Sequence, residues 1–402
     1  MRICISNGLV IDPATATCEV RDLWIEGGKM IDPAARIRSI AGKSEEITYF
    51  DATDKWVVPG LIDLHVHFRE PGFTHKETIE TGCMAAKKGG FTAVCCMPNT
   101  NPAVDNAEAV RYIRQRTEEA CGVQVLPIGA ITRGQEGLVL SDISGMAGEG
   151  ICAISEDGKS VMDEALMRKA MIRAASLNLP IFSHAEPEEE MVARDLRLAE
   201  ETGARLHFCH ISTKGSVDLI RLAKLKGLRV TAETAPHYFT LDSSMNAAKD
   251  PNWKMNPPLR SKSDVAAIIQ GLQEGVIDAI ATDHAPHQEW EKALPYDEAP
   301  FGVIGLETSF AVSYTALVKT GLLSPLALIE KMSFKPAEIA GIMGGSLAAG
   351  QLADVAIMEV KTPYTLSALS FASKSRNTPF HGMAVYGRPV TVLIHGCLDA
   401  ES

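Results

Sequence analysis

The sequence predicts an α/β protein whose body is a (β/α)8 barrel, with a small β domain formed by the N- and C-terminal segments. Three observations predict it. Apolar, β-branched runs alternate with longer amphipathic stretches eight times between residues 57 and 284. Continuous apolar runs of strand length, separated by helices, indicate a parallel sheet buried on both faces. No GxGxxG or GxxxxGK[ST] loop follows any run, which argues against an open nucleotide-binding sheet.

Taken in order, residues 2–11, 22–25 and 47–49 read as short strands parted by the turn signals Asn7-Gly8 and Gly27-Gly28. The eight apolar runs are 57–67, 90–97, 123–132, 151–157, 180–186, 205–212, 229–237 and 278–284. Helical patterns with charged faces lie between them, for example at 74–88, 106–120, 163–177 and 214–225. An irregular, proline-rich segment covers 285–302, helices follow to Gly341, and short strands return at 354–359, 384–386 and 390–395. The predicted divisions are 1–56 and 345–402 for the two parts of the small β domain, and 57–344 for the barrel.

The 402 residues suffice for a large core without disulfide support. A net charge of −11 argues against nucleic acid or an anionic membrane as partner, while leaving an anionic small molecule open. Nine cysteines with no CxxC pair suggest neither a disulfide framework nor a thiolate zinc site. With no signal-peptide pattern and no membrane-length apolar run, the expected compartment is the cytoplasm.

In a barrel, catalytic side chains stand at the carboxyl ends of the strands. The first run ends in His65-Val66-His67, and strand alternation turns both imidazoles to one face. Chance placement of 11 histidines gives about 0.3 such pairs in a chain of this length, so the pair alone decides little. The other ends decide more: Glu156-Asp157-Gly158 closes the fourth run, His184 the fifth, Pro236-His237 the seventh and Asp283-His284 the eighth. Imidazole and carboxylate donors without cysteine suit a catalytic zinc or a similar divalent ion. His284 reads as a packed neighbour of Asp283, and His75, His207, His210, His381 and His395 as structural or surface histidines.

The stretch PGLIDLHVHFREPGFTHKETIETGCMAAKKGGFTAVCCMPNTNP at 59–102, with SEDGKSVMDEALM, SHAEP, LHFCHISTKGSV, KMNPPLR, ATDHAPH and APFGVIGLE, resembles the bacterial-type dihydroorotases of the amidohydrolase superfamily. The likeness runs over nearly the whole chain. HxH alone marks the superfamily, whereas HVHFREPG with MPNT and DHAPH narrows it to this branch. The resemblance implies reversible cyclisation of N-carbamoyl-L-aspartate to L-dihydroorotate, with loss of water, in pyrimidine biosynthesis. It implies two zinc ions per chain, one held by His65 and His67 and the other by His184 and His237. By the same likeness Asp157 would bridge them, where hydantoinases carry a carbamylated lysine, and Asp283 would both bind the first zinc and transfer protons. Such a pair lowers the pKa of a shared water, which supplies the hydroxide nucleophile. His67, Arg69, Asn99, Asn256, His287 and the backbone at Phe301 and Gly302 then hold the substrate. A homodimer and association with aspartate transcarbamoylase are further implications.

Physical reading of these residues agrees in part. Arg69, two residues past His67, offers a bidentate fork to a substrate carboxylate, unless Glu70 already occupies it. Asn99 and Asn256, outside the resemblance, read as turn formers. Glu156 stands where the family commonly has aspartate, and Asp157 is preferred as the bridge because it abuts Gly158. The Asp157-Gly158 turn signal should also carry Lys159 beyond the strand, removing it as a candidate for carbamylation.

Overall fold

The computed structural model describes residues 2–32, 47–120 and 122–397, so parts of both predicted terminal segments, 33–46 and 398–402, lie outside the described residues. The chain opens with β1 (Arg2–Ser6), β2 (Leu9–Asp12), β3 (Thr17–Val20), β4 (Leu23–Glu26), β5 (Lys29–Ile31), β6 (Ile47–Asp51) and β7 (Lys55–Pro59). Four of these form a sheet in the order β5-β4-β1-β6.

The eight barrel strands are β8 (Leu61–Val66), β9 (Phe91–Cys96), β10 (Gln124–Ala130), β11 (Ala153–Ser155), β12 (Pro180–Ser183), β13 (Arg205–Phe208), β14 (Val230–Thr234) and β15 (Ala279–Ile280). They pair in chain order and in parallel throughout. A parallel bridge between Val66 and His284 joins the first strand to the segment after the last, where the His67 N–H donates to the His284 carbonyl at 2.8 Å. That closure removes the free edges and brings the ends of distant strands around one mouth.

After the barrel come β16 (Val355–Glu359), β17 (Tyr364–Thr365), β18 (Ala384–Val385) and β19 (Arg388–Leu393). β17 and β18 form a two-stranded ribbon, while β16 and β19 complete a sheet in the order β19-β16-β7-β2-β3. The two chain ends therefore share one sheet. Its inward residues, among them Val10, Val57, Val355 and Ile357, share an apolar core with Ile3, Ile5, Leu23 and Ile25 of the four-stranded sheet. Side chains two apart on a strand face the same way, so this core follows from the alternation in the sequence.

The run expected at 57–67 is divided in the structure: Val57 and Val58 belong to β7 in the small sheet, and the barrel begins at Leu61. Gly60 makes the change of layer. A Cβ there would stand 2.2 Å from Thr92 Oγ1, so no larger residue fits.

Helices cover the barrel at Ile79–Lys88, Ala107–Glu118, Glu164–Ser176, Glu188–Thr202, Lys214–Leu225 and Lys262–Glu274. Thr78, Asn106, Asp163, Thr213 and Ser261 cap five of them by accepting backbone N–H bonds, each contributing about 0.5–2 kcal/mol relative to alanine. The helix expected from residue 74 starts at Ile79 instead. Glu70 accepts from the Ile79 N–H at 2.9 Å and Thr78 caps the helix, so residues 74–78 stay in the loop that leaves β8. Among the described residues, no helix is long and apolar enough to cross a membrane.

Candidate active site

His65 lies within β8 and His67 one residue past its end, and both are buried at the barrel mouth. Each ring is oriented by a distant acceptor. His65 Nδ1 lies 3.0 Å from Glu233 Oε1 on β14, and His67 Nδ1 lies 2.8 Å from Asn99 Oδ1. With Nδ1–H donated, each Nε2 presents its lone pair to the cavity. There it meets carboxylates. His65 Nε2 is 3.3 Å from Asp157 Oδ1 and 3.6 Å from Asp283 Oδ1, and His67 Nε2 is 3.1 Å from Asp283 Oδ1 and 3.4 Å from Asp157 Oδ2.

On the other side of Asp157, His184 Nδ1 approaches Oδ1 at 3.4 Å and His210 Nε2 at 3.6 Å, with those two nitrogens 3.0 Å apart. Asp157 thus stands between two sets of donors. His65 Nε2 and Asp157 Oδ1 are buried without a hydrogen-bond partner among the described residues. Acceptor facing acceptor is an arrangement that a cation relieves, and nitrogen and carboxylate donors suit zinc. His65, His67 and Asp283 bring ligand atoms within 4.8 Å of one another, as do His65, Asp157 and His210. A third such group, His65, Cys209 and Glu233, lies on the Nδ1 side of His65, where Glu233 already orients the ring.

The structure sets one expected ligand apart from these groups. His237 follows Pro236 into the first turn of the short helix Pro236–Thr240, which carries its side chain out of the groups just described. It packs against Tyr238 with ring centroids 4.2 Å apart, its Nε2 has no hydrogen-bond partner among the described residues, and burial pushes its pKa down to about 4. His210, read from sequence as structural, occupies the place expected of His237. The signal was present: His210 stands two residues past the end of β13, the same offset as Asp157 from β11. Glu233 and His207 were also missed. His207 Nε2 lies 3.1 Å from Glu233 Oε2, behind His65.

The choice between adjacent acids is made by their contacts. Glu156 turns away to accept from the Thr132 N–H at 2.9 Å and from its hydroxyl, whereas Asp157 faces the histidines. Lys159 is directed elsewhere, donating to the Gln135 carbonyl at 3.2 Å.

The remaining predicted residues line the same cavity, of about 200 Å³, together with Asp283. Arg69 donates through Nε to the Pro286 carbonyl at 3.3 Å. Its neighbour Glu70 is engaged with the Ile79 N–H, the Tyr112 hydroxyl and Arg116, leaving the Arg69 guanidinium with no carboxylate partner among the described residues. Asn99 and Asn256 direct their amides to the histidines, Asn256 Nδ2 lying 3.5 Å from His184 Nε2. Gly302 has φ +132°, a conformation open to glycine, and a Cβ there would press on His287. Asn377 pins this loop: its amide donates to the Ala285 and Gly302 carbonyls at 3.0 Å, and its Oδ1 accepts from the His287 N–H at 3.1 Å. Arg69, His210 and Asp283 all have positive φ, strain of the kind that collects where side-chain placement matters.

Residues 54–189 match the family model described as dihydro-orotase-like. The dihydroorotase of Pelotomaculum thermopropionicum is 45% identical, the match covering 98% of each chain. That of Brevibacillus brevis is likewise 45% identical with 98% coverage of both. Among solved structures, an L-hydantoinase (dihydropyrimidinase) from Arthrobacter aurescens superposes with a TM-score of 0.88 at 24% identity, covering 98% of this chain and 95% of that one. A dihydropyrimidinase from Brevibacillus agri gives 0.85 at 23% identity, covering 99% and 95%. At such identity these two structures speak for the barrel fold, while the sequence relatives over their full length decide the lineage: the chain belongs to the dihydroorotase family.

Proposed function

We propose that the chain is a zinc-dependent dihydroorotase, closing N-carbamoyl-L-aspartate to L-dihydroorotate with release of water and reopening it in reverse, within pyrimidine biosynthesis. The observation that carries this reading is Arg69, directed into the cavity beside the histidine–carboxylate cluster with no carboxylate of its own among the described residues. A buried guanidinium of that kind matches a ring bearing a carboxylate, which hydantoin and dihydrouracil lack.

One ion would be held by His65, His67 and Asp283, a second by His184 and His210, with Asp157 shared. When bound, a zinc pair supplies Lewis acidity toward a carbonyl and makes nearby water more acidic. Asp283 takes the proton from the attacking water and delivers it to the departing ring nitrogen, as general base and then general acid. Arg69 and His287 grip the carboxylate, and Asn99 and Glu233 hold the tautomers of His67 and His65. A homodimer, association with aspartate transcarbamoylase and a cytoplasmic location belong to the same proposal, supported by the family likeness.

Hydrolysis of L-dihydroorotate, assayed beside hydantoin, dihydrouracil and allantoin, tests the reading. A clear preference for dihydroorotate is expected, and faster turnover of a neutral ring would overturn it. Arg69→Met should raise KM for dihydroorotate while largely sparing kcat, because the guanidinium holds a group remote from the scissile amide in ground and transition states alike. An unchanged KM would remove Arg69 from the carboxylate site.

An aspartate bridge needs no carbamylation, so zinc reconstitution of metal-free protein should proceed equally with and without carbon dioxide. Lys159→Ala should retain metal and Asp157→Ala should lose it, as measured by metal analysis. A bicarbonate requirement together with metal loss in Lys159→Ala would reverse that assignment.

A further inference from the structure

His287 carries an internal conflict that identifies a residue behind the substrate site. Lys76 Nζ lies 3.2 Å from His287 Nδ1, and Arg69 Nη2 lies 3.4 Å from His287 Nε2. Both neighbours have only hydrogens to offer. The ring is almost fully buried among the Arg69, Lys76 and Lys292 cations, and burial with those charges holds its pKa far below the ordinary histidine range. It is therefore neutral and bears one N–H. One of its two contacts joins hydrogen-bond donor to acceptor, and the other brings two donors together.

The surroundings decide which contact is which. If Nδ1 bore the proton, it would face the Lys76 ammonium, with Glu291 the carboxylate on that side. That carboxylate is already committed: Oε1 pairs with Lys76 at 2.8 Å and Oε2 accepts from the Gln288 N–H at 2.9 Å, leaving His287 Nδ1 3.7 Å away. If Nε2 bears the proton, Nδ1 accepts from Lys76 and the two donors meet on the open side, in the cavity. There an anionic oxygen can accept from both. Two N–H groups then converge on one point, which is the geometry a carboxylate oxygen requires.

We propose that Lys76 is a positioning residue that fixes His287 as the Nε2–H tautomer, turning the Arg69–His287 corner into a site for an anionic oxygen of the substrate. Lys76 itself is turned away from the cavity and acts through the ring. With Lys76 replaced by an apolar residue, Nδ1 loses its donor, the proton redistributes between the nitrogens, and Nε2 spends part of its time as an acceptor that repels a carboxylate. The identity of that carboxylate as dihydroorotate's rests on the functional reading above, whereas the tautomer does not.

The test begins on substrate-free protein labelled with 15N-histidine, using long-range proton–nitrogen correlation and His287→Asn to assign the ring. The wild type should show His287 protonated at Nε2 alone, and Lys76→Met should show a mixture of tautomers. Lys76→Gln retains an N–H toward Nδ1 and should restore the Nε2–H form. In the assay, Lys76→Met should raise KM for L-dihydroorotate by about tenfold, the scale of one hydrogen bond to a charged group, with kcat within about threefold. Lys76→Gln should recover most of the KM. A wild-type ring protonated at Nδ1, or an unchanged tautomer in Lys76→Met, would overturn the proposal without any assay. A wild type that shows the expected tautomer but does not act on dihydroorotate would sink the functional reading and leave the tautomer assignment standing.

Discussion

Asp283→Ala should lose kcat by at least about 10²–10⁴-fold, the usual contribution of general acid–base catalysis, while the protein still folds. Asp283 Oδ1 lies 3.1 Å from His67 Nε2 and 3.6 Å from His65 Nε2, in the same cavity as Arg69 and Asn256. Among the described residues, no second carboxylate stands ready to replace it. Glu233 is held behind His65, Glu156 is bound to Thr132, and Asp157 lies among the histidines as the shared ligand. The fold should survive because the adjoining strand ends are joined by Asp63, which accepts from the Thr282 N–H and hydroxyl at 3.1 and 2.6 Å. Steady-state kinetics with a thermal melt checks both halves of the expectation. Near-normal turnover would move the proton transfer to another group, with His287 the first to examine.

The second large effect separates two histidines that the sequence and the structure rank differently. His210→Ala should cost most of the bound metal and nearly all activity. The loss should exceed the roughly 10–100-fold in metal affinity that removal of an outer partner costs. His210 Nε2 lies 3.0 Å from His184 Nδ1 and 3.6 Å from Asp157 Oδ1, so its removal leaves that half of the cluster with one imidazole. His237→Leu should retain the metal, because that ring contacts Tyr238 and lies outside the ligand groups. Its unpaired Nε2 costs the fold about 1–3 kcal/mol, so an apolar replacement of similar size should not greatly lower the melting temperature. Metal analysis of the two purified variants decides the matter. Full metal in His210→Ala with depletion in His237→Leu would restore the ligand set first read from the sequence.

Much of this protein was determined by local pattern. Apolar runs at a strand's length and amphipathic stretches at a helix's period specify which face each segment buries, and eight repeats leave a closed parallel barrel as the economical solution. Because barrel chemistry gathers at the carboxyl ends of strands, His65, His67, Asp157, His184 and Asp283 stand out in the sequence itself. Tertiary structure decided where side chains converge. His210 and His237 both follow a strand end, and the difference is that Pro236 starts a helix which turns His237 aside. Arg69 and Glu70 are adjacent, yet one lines the cavity while the other fastens the helix behind it. Glu233 reaches His65 across 168 residues, and Asn377, beyond the barrel, holds the loop of His287 and Gly302. Periodicity reports burial relative to a segment's own axis. Convergence depends on the register of the closed sheet and the paths of its loops, which are set by contacts between residues far apart in the chain.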